Sequence, residues 1–287
     1  MSSETKVWTV LAMLEWATEY FKERNIPESR LSIEWILAEV LSVRRLDLYM
    51  QFDRPLSREE LDRLRPLVKR RAMNEPVQYI IGKTEFHSAE ILVNRSVLIP
   101  RVETEQLVDT LLKDSAFPAG VPLKLIDIGT GSGCIPIAVK LNRPLWNCSG
   151  VDISADALKV ARKNALHNQT DIQFVQADFE KWDDEPFFHQ KWDIVISNPP
   201  YITFEEKSEM HSQVKEYEPG AALFHENPLE FYKKLIDYAS ASSAALFLEC
   251  NDKTADRVEK LAVRKFSKVS LHNDLDGNPR FVIAKPD

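Results

Sequence analysis

The first part of the chain shows helical periodicity throughout. One apolar stripe recurs on a single helical face near the N-terminus, and a second runs through residues 31–41, with Ser29 placed to cap it. Ser57 and Glu60 have the spacing of a capping box at the start of a further helix. We therefore predict an all-helical bundle over residues 1–82, which we interpret as a substrate-recognition domain. The first stripe consists of Val7, Leu11, Leu14 and Ala17.

The pattern changes between residues 74 and 99. Pro76 interrupts the helical period, Gly82 closes the segment, and residues 85–93 are typical of an extended or hairpin structure. We expect residues 83–99 to form a linker. Helical periodicity returns over 103–113.

From residue 123 onwards short apolar runs alternate with amphipathic segments. The apolar runs are 123–128, 148–153, 172–175, 192–196 and 244–248, and the helical segments are 134–141, 155–167, 229–241 and 253–266. Such alternation predicts an α/β domain over 100–287 with a buried, mostly parallel sheet and helices on both faces. Residues 268–272 and 280–284 are joined by a turn too short for a crossover helix, so we expect an antiparallel hairpin at the end of the chain.

Composition and charge narrow the class of protein. The chain has 287 residues and a net charge of −7, which gives no basic footprint for duplex nucleic acid. Its three cysteines show neither metal-ligand spacing nor a disulfide framework. No apolar run is long enough to span a bilayer, and early acidic residues argue against a targeting signal. We expect a cytoplasmic protein that does not bind membranes.

The run Ser197-Asn198-Pro199-Pro200-Tyr201 follows an apolar strand pattern. Two prolines stop sheet pairing and stiffen the chain, and the first holds Asn198 in an extended conformation. The corner would aim two acceptors, the Asn198 side-chain oxygen and the Pro199 carbonyl, beside the Tyr201 ring. Two acceptors can take both hydrogens of a planar NH2 group, so the corner indicates chemistry on an amide or an exocyclic amine.

A glycine-rich turn links a strand to a helix at residues 125–133. Gly129, Gly131 and Gly133 permit a tight turn and a close approach of a ligand to the backbone. The spacing differs from a P-loop and from the G-x-G-x-x-G dinucleotide pattern, and an acid, Asp127, lies inside the strand.

Two more acids end the next two strands. Asp152 is placed to accept both hydroxyls of a ribose, and Asp178 to accept from an adenine amine, with Phe179 against the ring. Strand-end acids are also common helix caps. Acids at the ends of three successive strands together indicate a nucleoside site at the carboxyl edge of the sheet.

The order of these motifs resembles the class I S-adenosylmethionine-dependent methyltransferases, whose Asn-Pro-Pro-aromatic members methylate planar NH2 groups. Further motifs resemble the HemK/PrmC family, the protein-(glutamine) methyltransferases that act on the Gly-Gly-Gln loop of class I peptide chain release factors. These motifs are EPVQYIIG at 75–82, EF at 85–86, VLIPRVETEQLV at 97–108, EYEP at 216–219, AL at 222–223 and DLDGNPR at 274–280. The resemblance implies a Rossmann-like, seven-stranded sheet whose last strand is antiparallel.

The resemblance also implies roles for residues. For the substrate amide it implies Asn198, Pro199, Pro200, Tyr201 and Arg101, of which Asn198, Pro199 and Tyr201 would be catalytic. For S-adenosylmethionine it implies Asp127, Gly129, Thr130, Gly131, Gly133, Asp152, Ile153, Asp178, Phe179, Asn198, Glu103 and Thr104. Arg101 could instead pair with an acid at a domain interface, and Glu218 could be a structural cap. Direct methyl transfer should need neither a metal nor a covalent intermediate.

Two departures from the family pattern stand out: Val102 replaces a proline, and Glu249-Cys250-Asn251-Asp252 replaces a glycine-containing turn. Two other functions stay open at this point. One is methylation of an exocyclic adenine or guanine amine in DNA or RNA, and the other is a non-enzymatic cofactor-binding scaffold. We expect a monomer that acts on a release factor and has no nucleic-acid specificity of its own.

Overall fold

The computed structural model describes residues 7–208 and 210–287. Its helices are α1 Val10–Lys22, α2 Ser29–Leu41, α3 Arg58–Ala72, α4 Val77–Ile81, α5 Val102–Lys113, α6 Cys134–Asn142, α7 Ala155–His167, α8 Ser212–Tyr217, α9 Gly220–Leu223, α10 Pro228–Ala241 and α11 Ala255–Ala262. Its strands are β1 Lys83–Phe86, β2 Ala89–Leu92, β3 Lys124–Ile128, β4 Asn147–Asp152, β5 Gln173–Gln176, β6 Ile194–Ser197, β7 Ala245–Glu249, β8 Lys268–Asn273 and β9 Pro279–Lys285. Short 3-10 turns occur at Arg45–Met50, Phe179–Lys181, Pro186–His189 and Glu205–Ser208.

Contacts divide the chain into two compact units. The helical unit runs through Gly82 and also takes in His211–Tyr217, whereas the sheet unit comprises Lys83–Met210 and Glu218–Asp287. The predicted linker, 83–99, is part of the sheet unit. The division into domains 1–82, 83–99 and 100–287 stays a prediction.

Local capping in the helical unit matches the sequence in one place and not in another. The capping box at α3 is confirmed, because Glu60 N donates to Ser57 Oγ at 3.1 Å and Ser57 N donates to Glu60 Oε2 at 2.8 Å. The expectation that Ser29 caps α2 was wrong. Ser29 is the first helical residue, and its hydroxyl donates to the Ile26 carbonyl at 2.7 Å, so the cap position falls to Glu28.

A buried arginine ties the helical unit together. Arg71 in α3 donates to Ser32 Oγ, to the carbonyls of Pro27 and Glu75, and to Gln213 Oε1 of α8, at 2.9–3.0 Å. Burial lowers the pKa of Arg71 to about 10. Because a buried cation needs partners, these bonds hold α8 within this unit.

The sheet unit is built on seven strands in the order β5-β4-β3-β6-β7-β9-β8. The first five positions are parallel, and β9 inserts antiparallel between β7 and β8. The predicted fold is thereby confirmed, including the terminal hairpin. Strands β3, β6 and β7 are buried almost along their whole length, as their apolar runs predicted.

The β1–β2 hairpin is fastened to the sheet unit by one buried side chain. Asn164 of α7 accepts from Leu92 N at 2.7 Å and donates to the carbonyls of Leu92 and Ser132. Asn164 is fully buried, so its hydrogen bonds fix the hairpin beside the glycine-rich turn.

No helix in the described ranges is long and apolar enough to cross a membrane.

Candidate active site

The glycine-rich turn lies between β3 and α6 with an open backbone face. Gly129, Gly131 and Gly133 all have positive φ angles, of 75°, 53° and 78°. A Cβ added at Gly129 or Gly131 would meet no atom of the described residues within 4 Å, so this part of the structure leaves the space over both residues open to a ligand. Side chains at these positions would also strain the backbone.

A carboxyl group without a partner lies at the base of this turn. Asp127 is completely buried in β3, and neither of its carboxyl oxygens has a hydrogen-bond partner in the described chain; the Thr130 hydroxyl also lacks one. Burial raises the pKa of Asp127 to about 7, although the nearby Thr130 hydroxyl opposes the rise. A buried acid in this state favours a donor or a positive charge brought by a ligand.

Asp152 ends β4 beside the turn. Its Oδ2 accepts from Gly131 N at 2.9 Å and its Oδ1 accepts from Ser154 N at 2.8 Å. Burial raises the pKa of this carboxyl, whereas the backbone donors lower it. Each oxygen keeps a second lone pair, so the group can still accept from two hydroxyls.

Asp178 and Phe179 follow β5. Asp178 caps the short turn after it, accepting from Glu180 N at 3.0 Å, and pairs with Lys181 at 3.1 Å. The cap alternative therefore holds for this residue alongside any role in binding. Phe179 is buried in edge-to-face contact with the rings of Phe188, Phe231 and Tyr238.

A single cavity of about 340 Å³ joins these elements at the carboxyl edge of the sheet. Its volume is in the range of small-molecule sites. The predicted residues that line it are Gly129, Gly131, Asp152, Ile153, Asp178, Phe179, Asn198 and Pro200. Sequence reasoning missed several apolar lining residues, namely Val97, Leu98, Ala221, Ala222, Phe224 and Phe231.

The proline corner follows β6 with Asn198 held in a fixed orientation. Asn198 Nδ2 donates to Thr104 Oγ1 at 2.9 Å, so its Oδ1 is the end left to accept. Ser197 anchors the strand end by donating to the Ile128 carbonyl at 2.6 Å. Pro199 is buried, whereas Pro200 lines the cavity.

Glu249, at the end of β7, was not among the predicted site residues, although an acid closing a buried strand was a signal for it. Its side chain is 1% exposed, Oε2 accepts from the Thr104 hydroxyl at 2.7 Å, and Tyr201 OH donates to Oε1 at 3.4 Å. Burial raises the pKa of Glu249 to about 7, helped by Glu103. The Tyr201 ring packs against the core of the sheet unit, and burial raises its pKa as well.

Asp127 and Thr130 do not line the cavity. Six other predicted residues do not line it either: Gly133, Glu103, Thr104, Pro199, Tyr201 and Arg101. Thr104 and Tyr201 instead reach Asn198 or Glu249, as described above. Arg101 Nη2 donates to both carboxyl oxygens of Glu218, at 2.7 and 2.8 Å. The Glu218 side chain is 1% exposed, so this pair is mostly shielded from solvent and pins the chain just before α9.

Two family models match the chain. The model "PrmC N-terminal domain" matches residues 12–82, and the model "Methyltransferase small domain" matches residues 103–216.

Curated relatives match nearly the full length of the chain. A release factor glutamine methyltransferase of Leptospira interrogans is 36% identical over 96% of this chain and 97% of its own. Proteins with the same name from Geobacter sulfurreducens and Bacillus subtilis are 38% and 34% identical, covering 83% and 96% of this chain and 82% and 97% of theirs.

Among solved structures, the hMettl16 catalytic domain in complex with MAT2A 3′UTR hairpin 1 is similar with a TM-score of 0.52. It is 17% identical, and the match covers 77% of this chain and 80% of that one. At this identity the likeness supports the class I methyltransferase fold alone.

Proposed function

Because the chain belongs to the release factor glutamine methyltransferase family, we propose that it methylates the side-chain amide nitrogen of the glutamine in the Gly-Gly-Gln loop of a class I peptide chain release factor, with S-adenosylmethionine as donor. The observation that carries the proposal is one cavity lined by both the glycine turn and Asn198. A donor bound on the turn would thus adjoin the corner that holds an amide.

The residues around the cavity fit the proposed donor. Asp152 has lone pairs left for ribose hydroxyls, and Phe224 and Phe231 offer an apolar wall for a flat base. The unpartnered Asp127 carboxyl supports a cationic ligand over the turn. When bound, S-adenosylmethionine supplies an electrophilic methyl group on a positively charged sulfur.

The corner supplies orientation for the substrate. An amide nitrogen is a weak nucleophile because its lone pair is delocalised into the carbonyl. Asn198 Oδ1 and the Pro199 carbonyl would each accept one N–H, which turns the nitrogen lone pair toward the cavity and favours the positive charge that develops there. This is catalysis by positioning and electrostatics, and the Tyr201 ring would limit how the amide can tilt.

The proposal extends to recognition of the substrate, oligomeric state and location. We propose that the helical unit and the segment 202–224 recognise the release factor, that the protein acts as a cytoplasmic monomer, and that neither a metal nor nucleic acid takes part in the reaction. The family matches favour a protein substrate over a nucleobase. The acceptor corner alone is compatible with methylation of either one.

One assay tests the proposed function. The enzyme is incubated with methyl-labelled S-adenosylmethionine and one of three acceptors: a release factor, the same factor with Ala in place of the loop glutamine, or total nucleic acid. We expect label on the unaltered factor alone. Label on nucleic acid, or on the Ala variant, would overturn the proposal.

Asn198→Ala extends the same assay. The variant should lose at least about 100-fold in turnover, the scale of losing one oriented group in a reacting site, and should bind the donor nearly as well as the wild type. Near-normal turnover would show that the corner does not hold the amide.

A further inference from the structure

Three side chains from separate elements form a hydrogen-bonded chain behind the proline corner. Thr104 lies in the first turn of α5 and is 3% exposed, Glu249 ends β7, and Asn198 follows β6. The Asn198 amide donates to the Thr104 hydroxyl at 2.9 Å, and that hydroxyl donates to the Glu249 carboxyl at 2.7 Å.

The direction of this chain follows from what each group can donate. An ionised carboxylate accepts only, so the single hydroxyl hydrogen of Thr104 is committed to Glu249. The Thr104 oxygen can then only accept, and of the two ends of the Asn198 amide only Nδ2 can donate to it. The opposite end, Oδ1, is therefore held as the free acceptor.

We propose that Glu249 and Thr104 are positioning residues that lock the Asn198 side-chain amide with its oxygen toward the substrate amide. This inference rests on the proposed function, since it gives Asn198 the role of amide acceptor. Thr104, for which the resemblance implied a role in binding the cofactor, would instead support the proline corner. A rotated Asn198 would present its own NH2 to the substrate NH2, and two donors cannot pair.

Hydrogen bonds to the backbone around Glu249 fix the position of this residue. Tyr232 OH donates to the Glu249 carbonyl at 3.0 Å, and Arg280 donates to the next carbonyl, of Cys250, at 3.2 Å. Glu249 also pairs in register with Phe281 of β9. Such support keeps a site within the small tolerance that catalysis requires.

After protonation of Glu249, the Asn198 amide would no longer be held in one orientation. A protonated carboxyl can donate to Thr104, whose hydrogen is then free to turn to Asn198 Oδ1 and hold the amide the wrong way round. Burial and the charge of Glu103 raise the pKa of Glu249. Thr104, Arg280 and Tyr201 lower this pKa, and its value is about 7. The ionisable groups that face it are Glu103 of α5, Tyr201 after β6, Tyr232 of α10, the adjacent Cys250, and Arg280 of β9.

Steady-state kinetics on a release factor tests the inference. Thr104→Val keeps the shape and removes the hydroxyl, so we expect kcat to fall by about 10-fold or more while the affinity for S-adenosylhomocysteine stays within about two-fold. Thr104→Ser should restore most of the rate. Thr110→Val is the matched control, because that hydroxyl donates to the Gln106 carbonyl of its own helix. Wild-type kcat in Thr104→Val, or a loss confined to donor affinity, would overturn the inference.

The pH profile separates positioning from simple structural support. In the wild type, kcat should rise as pH increases through about 7, because Glu249 must be ionised. Glu249→Gln should have a lower kcat and should lose this rise, since an amide can either donate or accept. If Glu249→Gln keeps the wild-type pH profile, Glu249 does not set the direction of the hydrogen bonds from Asn198 through Thr104.

A readout without turnover keeps the inference testable whatever the substrate is. In protein labelled with isotopic asparagine, the Asn198 side-chain NH2 signal is identified by its loss in Asn198→Ala. We expect it to shift in Thr104→Val and to titrate near pH 7 in the wild type but not in Glu249→Gln. An unmoved signal would refute the lock. An inactive wild type on the release factor would instead count against the proposed function.

Discussion

Two carboxyl groups, Asp127 and Glu249, are buried at the same edge of the sheet and are held differently. Glu249 has donors on both oxygens, from Thr104 and Tyr201, whereas Asp127 has none in the described chain. Both have a pKa raised to about 7 by burial. Active sites commonly retain such unfavourable groups because a ligand or a reacting group uses them.

Asp127→Asn should therefore stabilise the protein while weakening donor binding. The pKa of Asp127 rises from 3.8 to about 7 on folding, so ionisation at about pH 8 costs the folded state on the order of 4 kcal/mol at most. A raised carboxyl pKa means that this cost is absent below about pH 4 and grows as pH rises to about 7.

Thermal unfolding of both proteins across this pH range measures the effect. The Tm of Asp127→Asn should exceed that of the wild type at about pH 8, with the gap closing toward pH 4, and calorimetry should show weaker S-adenosylmethionine binding. Asp156→Asn is the control, because its carboxyl is exposed on α7. A constant gap at every pH would contradict the assignment.

At the scale of elements, the turn between β3 and α6 is shaped by its neighbour β4. Thr130 N and Gly129 N both donate to the Val151 carbonyl, and Gly150 brings β4 close to the turn. A Cβ at Gly150 would lie 2.6 Å from Thr130 Oγ1 and 2.9 Å from the Phe174 ring. The strand thus needs a glycine where no turn requires one, for reasons of packing alone.

Gly150→Ala should displace Thr130 and disturb the turn. We expect a loss of about 1–3 kcal/mol in the free energy of unfolding, as for other overpacked sites, together with weaker donor binding. Gly120→Ala is the matched control, since a Cβ there meets no atom of the described residues within 4 Å, and it should be neutral or slightly stabilising. Denaturant unfolding of both variants checks the prediction, and equal stabilities would refute it.

At the scale of the whole molecule, the helical unit is discontinuous in sequence. The chain leaves the sheet unit after Met210, contributes α8 to the helical unit, and returns at Glu218. Within the helical unit Gln213 bonds to Arg71, Ser212 accepts from Asn74, and Tyr217 donates to the Met73 carbonyl. The segment after the proline corner therefore shares its stability with the helical bundle.

Gln213→Ala should loosen this segment locally. Removing one hydrogen bond to a buried cation is worth about 1–2 kcal/mol, so hydrogen exchange over 211–217 should become about 5- to 30-fold faster with little change in Tm. Gln190→Ala, at an exposed position of the sheet unit, is the control. Unchanged exchange over 211–217 would show that Arg71 does not hold the segment.

The order of elements, the parallel sheet with its terminal hairpin, the glycine turn and the proline corner were all predictable from the sequence. These depend on local properties, namely the period of apolar residues and the backbone limits of glycine and proline. Family membership was also predictable from the motifs, because their residues and their order along the chain can be read without knowledge of the fold.

Which side chains meet could not be predicted from the sequence, because it depends on how the elements pack in three dimensions. Thr104 and Glu249 are 145 residues apart, and they meet only because α5 and β7 pack within one unit. Arg101 and Glu218, each considered separately in the sequence, are partners for the same reason. Apolar periodicity fixes which face of an element is buried, but contacts between distant polar groups follow from how the buried faces come together. The orientation of Asn198, on which the proposed chemistry depends, follows from such contacts between distant polar groups.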